Sequence, residues 1–362
     1  MQSEGKKRIV VKVGSSSLAS PHGGCDFAKM KLLVEALSLL KNEGHEVLLV
    51  SSGAVASGYT LLGYQQRPRT LVAKQAAAAI GQSVLMQSYA SLFAEHHYNV
   101  AQILLTRSDF SDKERYHHAF ETISLLLSRG IVPIINENDP VSVAELTFGD
   151  NDMLGALVSG LVHADLYTII TDTDGLYDKD PRKHKDAVRI PYLAEITAEA
   201  EAAAGDAGSL GTGGMRSKII AAKTAQNLGI STFIGRATRP DSLLEIAAGR
   251  GEGTYVSGKN ENLPTRKQWI ALHSPVKGQI FIDEGAAHAL TRDRRSLLIG
   301  GVRDVAGDFQ PGEVVEVFCG SQPLGRGVSR YGAEVLRLAL SPQQGVRLEN
   351  EVIHRDQWVL VP

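Results

Sequence analysis

The chain has 362 residues, more than one average domain needs and enough for two. Hydrophobic residues make up 43% and charged residues 22%, the proportions of an ordinary globular protein, which excludes a disordered or collagen-like chain. A net charge of −2 implies no general affinity for nucleic acid or for membrane surfaces.

The opening MQSEGKKRIVVKVG has no long apolar run, so no targeting segment is expected. No stretch reaches the ~18 apolar residues of a membrane span. Arg8–Val13 (RIVVKV) predicts the first strand. It is apolar on both faces, as a fully buried parallel strand is. It carries Lys12 and runs into Gly14 and three serines. A lysine in a buried strand needs an anion; on an edge strand it needs only water. The motif alone leaves both open. Phe27–Leu40 predicts a helix, with Met30, Leu33, Val34, Leu37 and Leu40 at three- and four-residue steps.

Glu46–Val50 is the second predicted strand, followed by SSGAVASG (Ser51–Gly58). Small residues there let a ligand approach backbone N–H groups at a helix start. A plain N-cap by Ser51 or Ser52 fits equally well. The alanine-rich Thr70–Phe93 predicts a long helix, and Ala101–Leu105 and Ile131–Ile135 predict two more strands. The histidine pairs His96–His97 and His117–His118 have no partner at metal spacing and are expected at a surface or interface.

After Ile135 come NENDPVSV (Asn136–Val143) and FGDNDMLGALV (Phe148–Val158). They bring together Asn136, Glu137, Asn138, Asp139, Asp150, Asn151 and Asp152. Asp150 or Asn151 serves as an N-cap for the apolar run that follows. Capping does not require the other carboxylates. Such groups receive an ammonium, hold Mg²⁺ or orient lysines. No histidine joins them, which counts against a metal site built from protein ligands alone.

Leu166–Ile170 predicts the fifth strand, followed by TDTDGLYDKDP (Thr171–Pro181), either an Asp-Gly turn or a wall for a base and ribose. Ala194–Ser209 predicts a short acidic helix. GSLGTGGMRSKIIAAK (Gly208–Lys223) is rich in glycine and then helical. It is not a Walker A loop, because Arg216 and Ser217 precede Lys218 and Ile219 follows it. It is not a dinucleotide fingerprint either: its glycines are wrongly spaced and follow no strand. Flexible backbone donors, a helix start and the cations Arg216 and Lys218 are nonetheless present. Cations there oppose the helix dipole and make sense if a polyphosphate binds. Arg216 is expected to point to solvent. Met215–Leu228 is the helix, and Ile230–Ile234 the sixth strand. This βαβα rhythm predicts an α/β fold, a mostly parallel sheet sandwiched by helices.

The last hundred residues are short apolar segments between Gly, Pro and Asp turns, the pattern of a small β-barrel or sandwich. Gly258–Lys267 (GKNENLPTRK) reads as a linker, giving domains 1–260 and 268–362. Trp269 and Trp358 are expected to pack the small domain. Cys25 and Cys319 are far apart and form no metal motif, so a reduced, cytoplasmic chain is expected.

Six motifs in order are VVKVGSS, SSGAVASG, INENDPVSVAE, GDNDMLGALV, TDTDGLYDKDPR and GTGGMRSKIIAAK. Together they resemble the amino-acid kinase family and, within it, the glutamate 5-kinases. LLIGGVRDVAGDFQPGEVVEV and GRGVSRYGAEVLR resemble the PUA domain that many such kinases carry. The resemblance implies that L-glutamate is phosphorylated by ATP, with Mg²⁺ carried on the nucleotide, as a step of proline biosynthesis. It implies that Lys12 and Lys218 flank the transferred phosphoryl group and that Asp152 holds them by ion pairs. Ser52, Asp139 and Asn151 match the glutamate-binding positions, with Asp150 second in rank. Lys12, Thr171, Asp172 and the run Thr212, Gly213, Gly214, Met215, Arg216, Ser217 and Lys218 match the nucleotide-binding positions. Proline as a feedback inhibitor and a homo-oligomer, dimer or tetramer, are further family expectations. The rival within the fold is a kinase of another carboxylate, carbamate or nucleotide. The rival outside it is an RNA-binding PUA protein. Residues 263–362 carry 12 basic and 11 acidic side chains, too even a balance for an RNA surface, so RNA binding is not expected.

Overall fold

In the computed structural model, the apolar run Arg8–Val13 forms β1, with every residue after Arg8 buried. The structure describes residues 5–18, 20, 24–142, 151–179, 181, 183–197, 214–258, 269–270, 274–341, 348 and 351–360. Two compact units are present: Met1–Asp109 with His117–Asn262, and Phe110–Tyr116 with Leu263–Pro362.

The first unit is built on strands β1, β2 (Glu46–Val50), β3 (Val100–Leu105), β4 (Val132–Glu137), β5 (Leu166–Ile170), β6 (Leu176–Tyr177), β7 (Arg189–Ile190), β8 (Tyr192–Leu193), β9 (Ser231–Gly235) and β10 (Gly253–Val256). Eight of them form one sheet in the order β3-β4-β2-β1-β5-β9-β10-β8, while β6 and β7 pair separately. From β3 to β9 all neighbours are parallel; β10 runs antiparallel to β9. β1 therefore lies inside the sheet, between β2 and β5. The edge-strand alternative for Lys12 is eliminated.

The helices in this part of the chain are α1 (Phe27–Asn42), α2 (Ala54–Gly58), α3 (Leu71–Ala94), α4 (Arg107–Ser111), α5 (Lys113–Ser128), α6 (Asn151–Leu161), α7 (Met215–Asn227) and α8 (Ser242–Ala247). Side chains alternate across a strand. Ile9, Val11 and Val13 accordingly join Met30, Leu37, Leu85 and Phe93 in one apolar core under α1 and α3. Lys12 points to the opposite face, toward α6. That helix lies close to the sheet because Gly155 offers no Cβ to the ring of Tyr167, whose hydroxyl donates to the Asp152 carbonyl at 2.7 Å. Gly155→Ala is expected to push α6 off β5 and cost about 1–3 kcal/mol, read as a lower urea midpoint. An unchanged midpoint would show that the ring can move aside.

The second unit is a five-stranded sheet: β11 (Val276–Ile282), β12 (Val302–Gly307), β13 (Val314–Cys319), β14 (Gln322–Val328) and β15 (Trp358–Leu360), in the order β12-β11-β13-β14-β15. β11 and β13 are parallel and the other neighbours antiparallel. Turn signals in the sequence foretold the strands but not α9 (Glu284–Thr291) and α10 (Ala333–Leu340). α9 starts at Asp283, which accepts from the Ala286 N–H at 2.8 Å, a standard cap. Ile280, Val317, Phe309, Leu336 and Trp358 share its core, and Trp269 is also buried. Among the described residues, no helix is long and apolar enough to cross a membrane.

Candidate active site

The strand ends gather the predicted residues. Lys12 is the second-to-last residue of β1, and Ser51 and Ser52 follow β2. Asn136 lies within the last residues of β4, and Thr171 and Asp172 follow β5. In a parallel sheet these C-terminal ends are where ligands bind.

A buried carboxylate holds two lysines. Asp152, in the first turn of α6, is fully buried (0% exposed), and Lys12 and Lys218 are nearly so, at 3% and 7%. Lys12 Nζ pairs with Asp152 Oδ1, and Lys218 Nζ donates to Oδ2 at 3.0 Å. Ser217 Oγ adds a longer bond to Oδ2, at 3.2 Å. Burial alone would push the Asp152 carboxyl up. The two ammonium groups outweigh it and hold the carboxyl below its usual range. The helix N-terminus favours the same anionic state. Asp152 thus does more than complement the helix start: its one charge orders two cations that would otherwise repel.

Lys218 comes from α7, whose first turn has no acidic residue. Its N-cap, Gly214, has no side chain to satisfy the first N–H groups. Those donors and the two lysines form a cationic floor suited to a phosphate chain. Met215 opens this helix and is half-buried. Arg216 is exposed, as expected. Thr212, Gly213, Asp150, the acidic segment from residue 198 and most of the linker lie outside the described residues.

A second group of polar side chains surrounds Asn151, the residue before Asp152. Asn151 Nδ2, with two hydrogens to donate, faces three acceptors: the Ser51 carbonyl at 2.7 Å, Ser52 Oγ at 2.8 Å and Asn136 Oδ1 at 2.8 Å. Asn136 is itself 2% exposed and donates through Nδ2 to Gln82 Oε1 at 2.9 Å. Ser52 and Asn151 are therefore brought together as predicted. Asp139 lies in the turn after β4 and, among the described residues, makes no hydrogen bond to either. Burial, with help from Glu137 and against Arg67, pushes its carboxyl up to about 6.

Thr171 and Asp172 line a cavity of about 410 Å³ with Val13, Leu33, Arg236 and Leu243. Arg236 Nε donates to the Asp172 carbonyl at 2.5 Å, and Thr171 Oγ1 to Asp172 Oδ1 at 3.1 Å. They stand beside the end of β1, since Val13 pairs with Ile170 in register.

Asn136 was only one polar residue among seven in the sequence, and Gln82 gave no signal at all. Its contact with Asn136 spans 54 positions of chain, and α3 reads as a plain alanine-rich helix. The histidines play no part here: His117 and His118 are exposed and face Glu121 at 3.2 and 3.9 Å. Among the described residues no three His, Cys, Asp or Glu side chains are grouped to hold a metal. Cys25 and Cys319 are free thiols.

Comparison with known proteins gives the family of each part of the chain. Residues 7–236 match the amino acid kinase family, and residues 278–350 match the PUA domain. A glutamate 5-kinase of Bacillus cereus (strain G9842) is 54% identical, covering 98% of this chain and 99% of its own. One from Bacillus anthracis has the same identity and coverage, and glutamate 5-kinase 1 of Bacillus licheniformis is 52% identical with equal coverage. Among solved structures, a carbamate kinase from Giardia lamblia bound to AMP-PNP superposes with a TM-score of 0.52. It covers 71% of this chain and 100% of its own at 16% identity, a likeness of fold.

Proposed function

The chain belongs to the amino acid kinase family, and we propose that it transfers the γ-phosphoryl group of ATP to the γ-carboxylate of L-glutamate. The products are ADP and L-glutamyl 5-phosphate, in the first step of proline biosynthesis. The observation that carries this reading is the pair of buried lysines on Asp152, directly beside the Asn151 amide cluster. A charge-neutralising floor meets an acceptor pocket at one helix N-terminus. The 54% identity to glutamate 5-kinases over nearly the whole chain supports glutamate as the acceptor.

A γ-carboxylate is ionised at neutral pH, so it needs no general base. One of its oxygens attacks the γ-phosphorus as the bond to the β-phosphate oxygen breaks, and ADP leaves with that electron pair. The protein's task is positioning and charge compensation. Lys12 and Lys218 flank the phosphoryl group in flight, and Asp152 fixes their spacing. The nucleotide, bound as its Mg²⁺ complex, lies along the start of α7 and the Thr171–Asp172 turn. Ser52 and Asn151 take a carboxylate of glutamate, and Asp139 takes its ammonium. Proline feedback, assembly into a dimer or tetramer and a cytoplasmic location belong to the same reading.

An acyl phosphate reacts with hydroxylamine. Trapping the product as the γ-hydroxamate therefore tests the reaction, and ADP release without hydroxamate would contradict it. The Asp139 role has its own test. Its carboxyl sits near 6, so it is ionised above that value and loses its hold on the ammonium below it. kcat/KM for glutamate should fall as pH drops through about 6. Asp139→Asn should have a higher KM for glutamate, by about tenfold or more, and no such pH step. A variant that kept the step would free Asp139 of this role.

A further inference from the structure

Three polar residues recur at seven-residue spacing along α3: Gln75, Gln82 and Tyr89. Seven residues are close to two helical turns, so the three side chains fall in one line. Each reaches a different segment of the acceptor pocket. Tyr89 Oη shares a 2.9 Å hydrogen bond with Ser51 Oγ after β2. Gln82 Oε1 accepts from Asn136 Nδ2 at 2.9 Å at the end of β4. Gln75 Nε2 donates to the Ser142 carbonyl at 3.2 Å in the turn beyond.

Stability does not call for Gln82. It is 7% exposed, and its Nε2 has no hydrogen-bond partner among the described residues. Burying an unsatisfied amide donor is costly, and a leucine or methionine would fill the same space without that cost. The register of α3 is also fixed. A Cβ on Gly81 would collide with the Ala54 carbonyl, and one on Gly58 with the Ala77 carbonyl, so α2 and α3 touch backbone to backbone just beside Gln82. That contact sets Gln82 opposite Asn136.

The bond has a direction. By accepting from Asn136 Nδ2, Gln82 turns the other end of that amide, Oδ1, toward Asn151 Nδ2 at 2.8 Å. The Glu137 N–H also donates to Asn136 Oδ1, at 2.9 Å, but Gln82 is the acceptor for the Nδ2 end; without it that end of the amide loses its hold and Asn136 is less firmly set toward Asn151. We propose that Gln82 is a positioning residue of the acceptor pocket, orienting Asn151 through Asn136. The proposal rests on the reading of Asn151 as a glutamate contact. Gln75 and Tyr89 hold the flanking segments in the same frame.

Steady-state kinetics of Gln82→Met and Gln82→Glu test this. Methionine keeps the volume and removes the acceptor; glutamate keeps an oxygen for Asn136. Gln82→Met should raise KM for L-glutamate about tenfold, with kcat and KM for ATP within about twofold of the parent. Gln82→Glu should bring KM for glutamate back to within about threefold. If the methionine variant fails to fold, Gln82→Asn, which withdraws the oxygen by one methylene, should show the same rise. An unmoved KM for glutamate in Gln82→Met, or in Gln82→Asn where it stands in, overturns the proposal. So does a parallel loss in kcat, both KM values and melting temperature, which would mark Gln82 as structural. Failure of the unmodified chain to phosphorylate glutamate would instead sink the functional reading, and this proposal with it.

Discussion

Lys218→Ala is expected to lower kcat by about 10³-fold while KM for glutamate stays within about threefold. The reason is where the ammonium stands. Lys218 is fixed on Asp152 at 3.0 Å and is nearly buried, so its charge is in place before the reaction begins. A preorganised cation in such surroundings acts on charge that develops in the transition state. On the proposed reading, glutamate binding in the ground state falls to another set of residues, those gathered around Asn151. Loss of turnover without loss of acceptor binding is therefore the signature of this role. The fold should survive, because Lys12 still neutralises Asp152. Near-normal turnover in this variant would remove Lys218 from the chemistry.

Asp152→Asn should affect both stability and turnover. The substitution keeps the shape and removes the one charge shared by two buried lysines. Breaking a buried ion pair from one side costs about 3–5 kcal/mol, because the remaining charges are left uncompensated. The variant should show a lower urea midpoint and a turnover reduced at least as much as in Lys218→Ala. The pH dependence has a definite sign. The folded-state carboxyl lies below its unfolded value, so its contribution is complete above the ordinary aspartate range. It is lost as pH falls below that range toward the folded value, and the variant should lack this part of the acid destabilisation. A midpoint equal to the parent's would mean that water or another anion compensates the lysines.

Several of these features could be read in the sequence because they are local. Arg8–Val13, Glu46–Val50 and Leu166–Ile170 are strands over those same residues, since continuous apolar runs bounded by turn residues leave little choice. β8 and β10 escaped notice because runs of two and four residues carry no periodicity. Lys12 illustrates the limit of a motif. Its strand allowed either solvent or an anion, and only the pairing of β1 with both β2 and β5 decides. Asp152 and Asn151 were visible as a polar helix start, and the resemblance supplied their roles. That one residue faces the lysines and the other the serines is a matter of helix geometry, in which neighbours point about 100° apart. Gln82 was not legible at all. A glutamine in an alanine-rich helix looks like surface, and its partner is far away in sequence.

On the proposed reading, the Asn151 side of Asp152 holds a free amino acid whose ammonium meets Asp139. The most direct test is ADP release by the unmodified chain with L-glutamate, L-aspartate or N-acetyl-L-glutamate as acceptor, at equal concentrations with MgATP. Release with L-glutamate should lie far above the acceptor-free rate. It should be small with aspartate, whose carboxylate falls one methylene short, and small with N-acetylglutamate, which has no ammonium for Asp139. Equal or faster release with N-acetylglutamate, or none with glutamate, would contradict this reading.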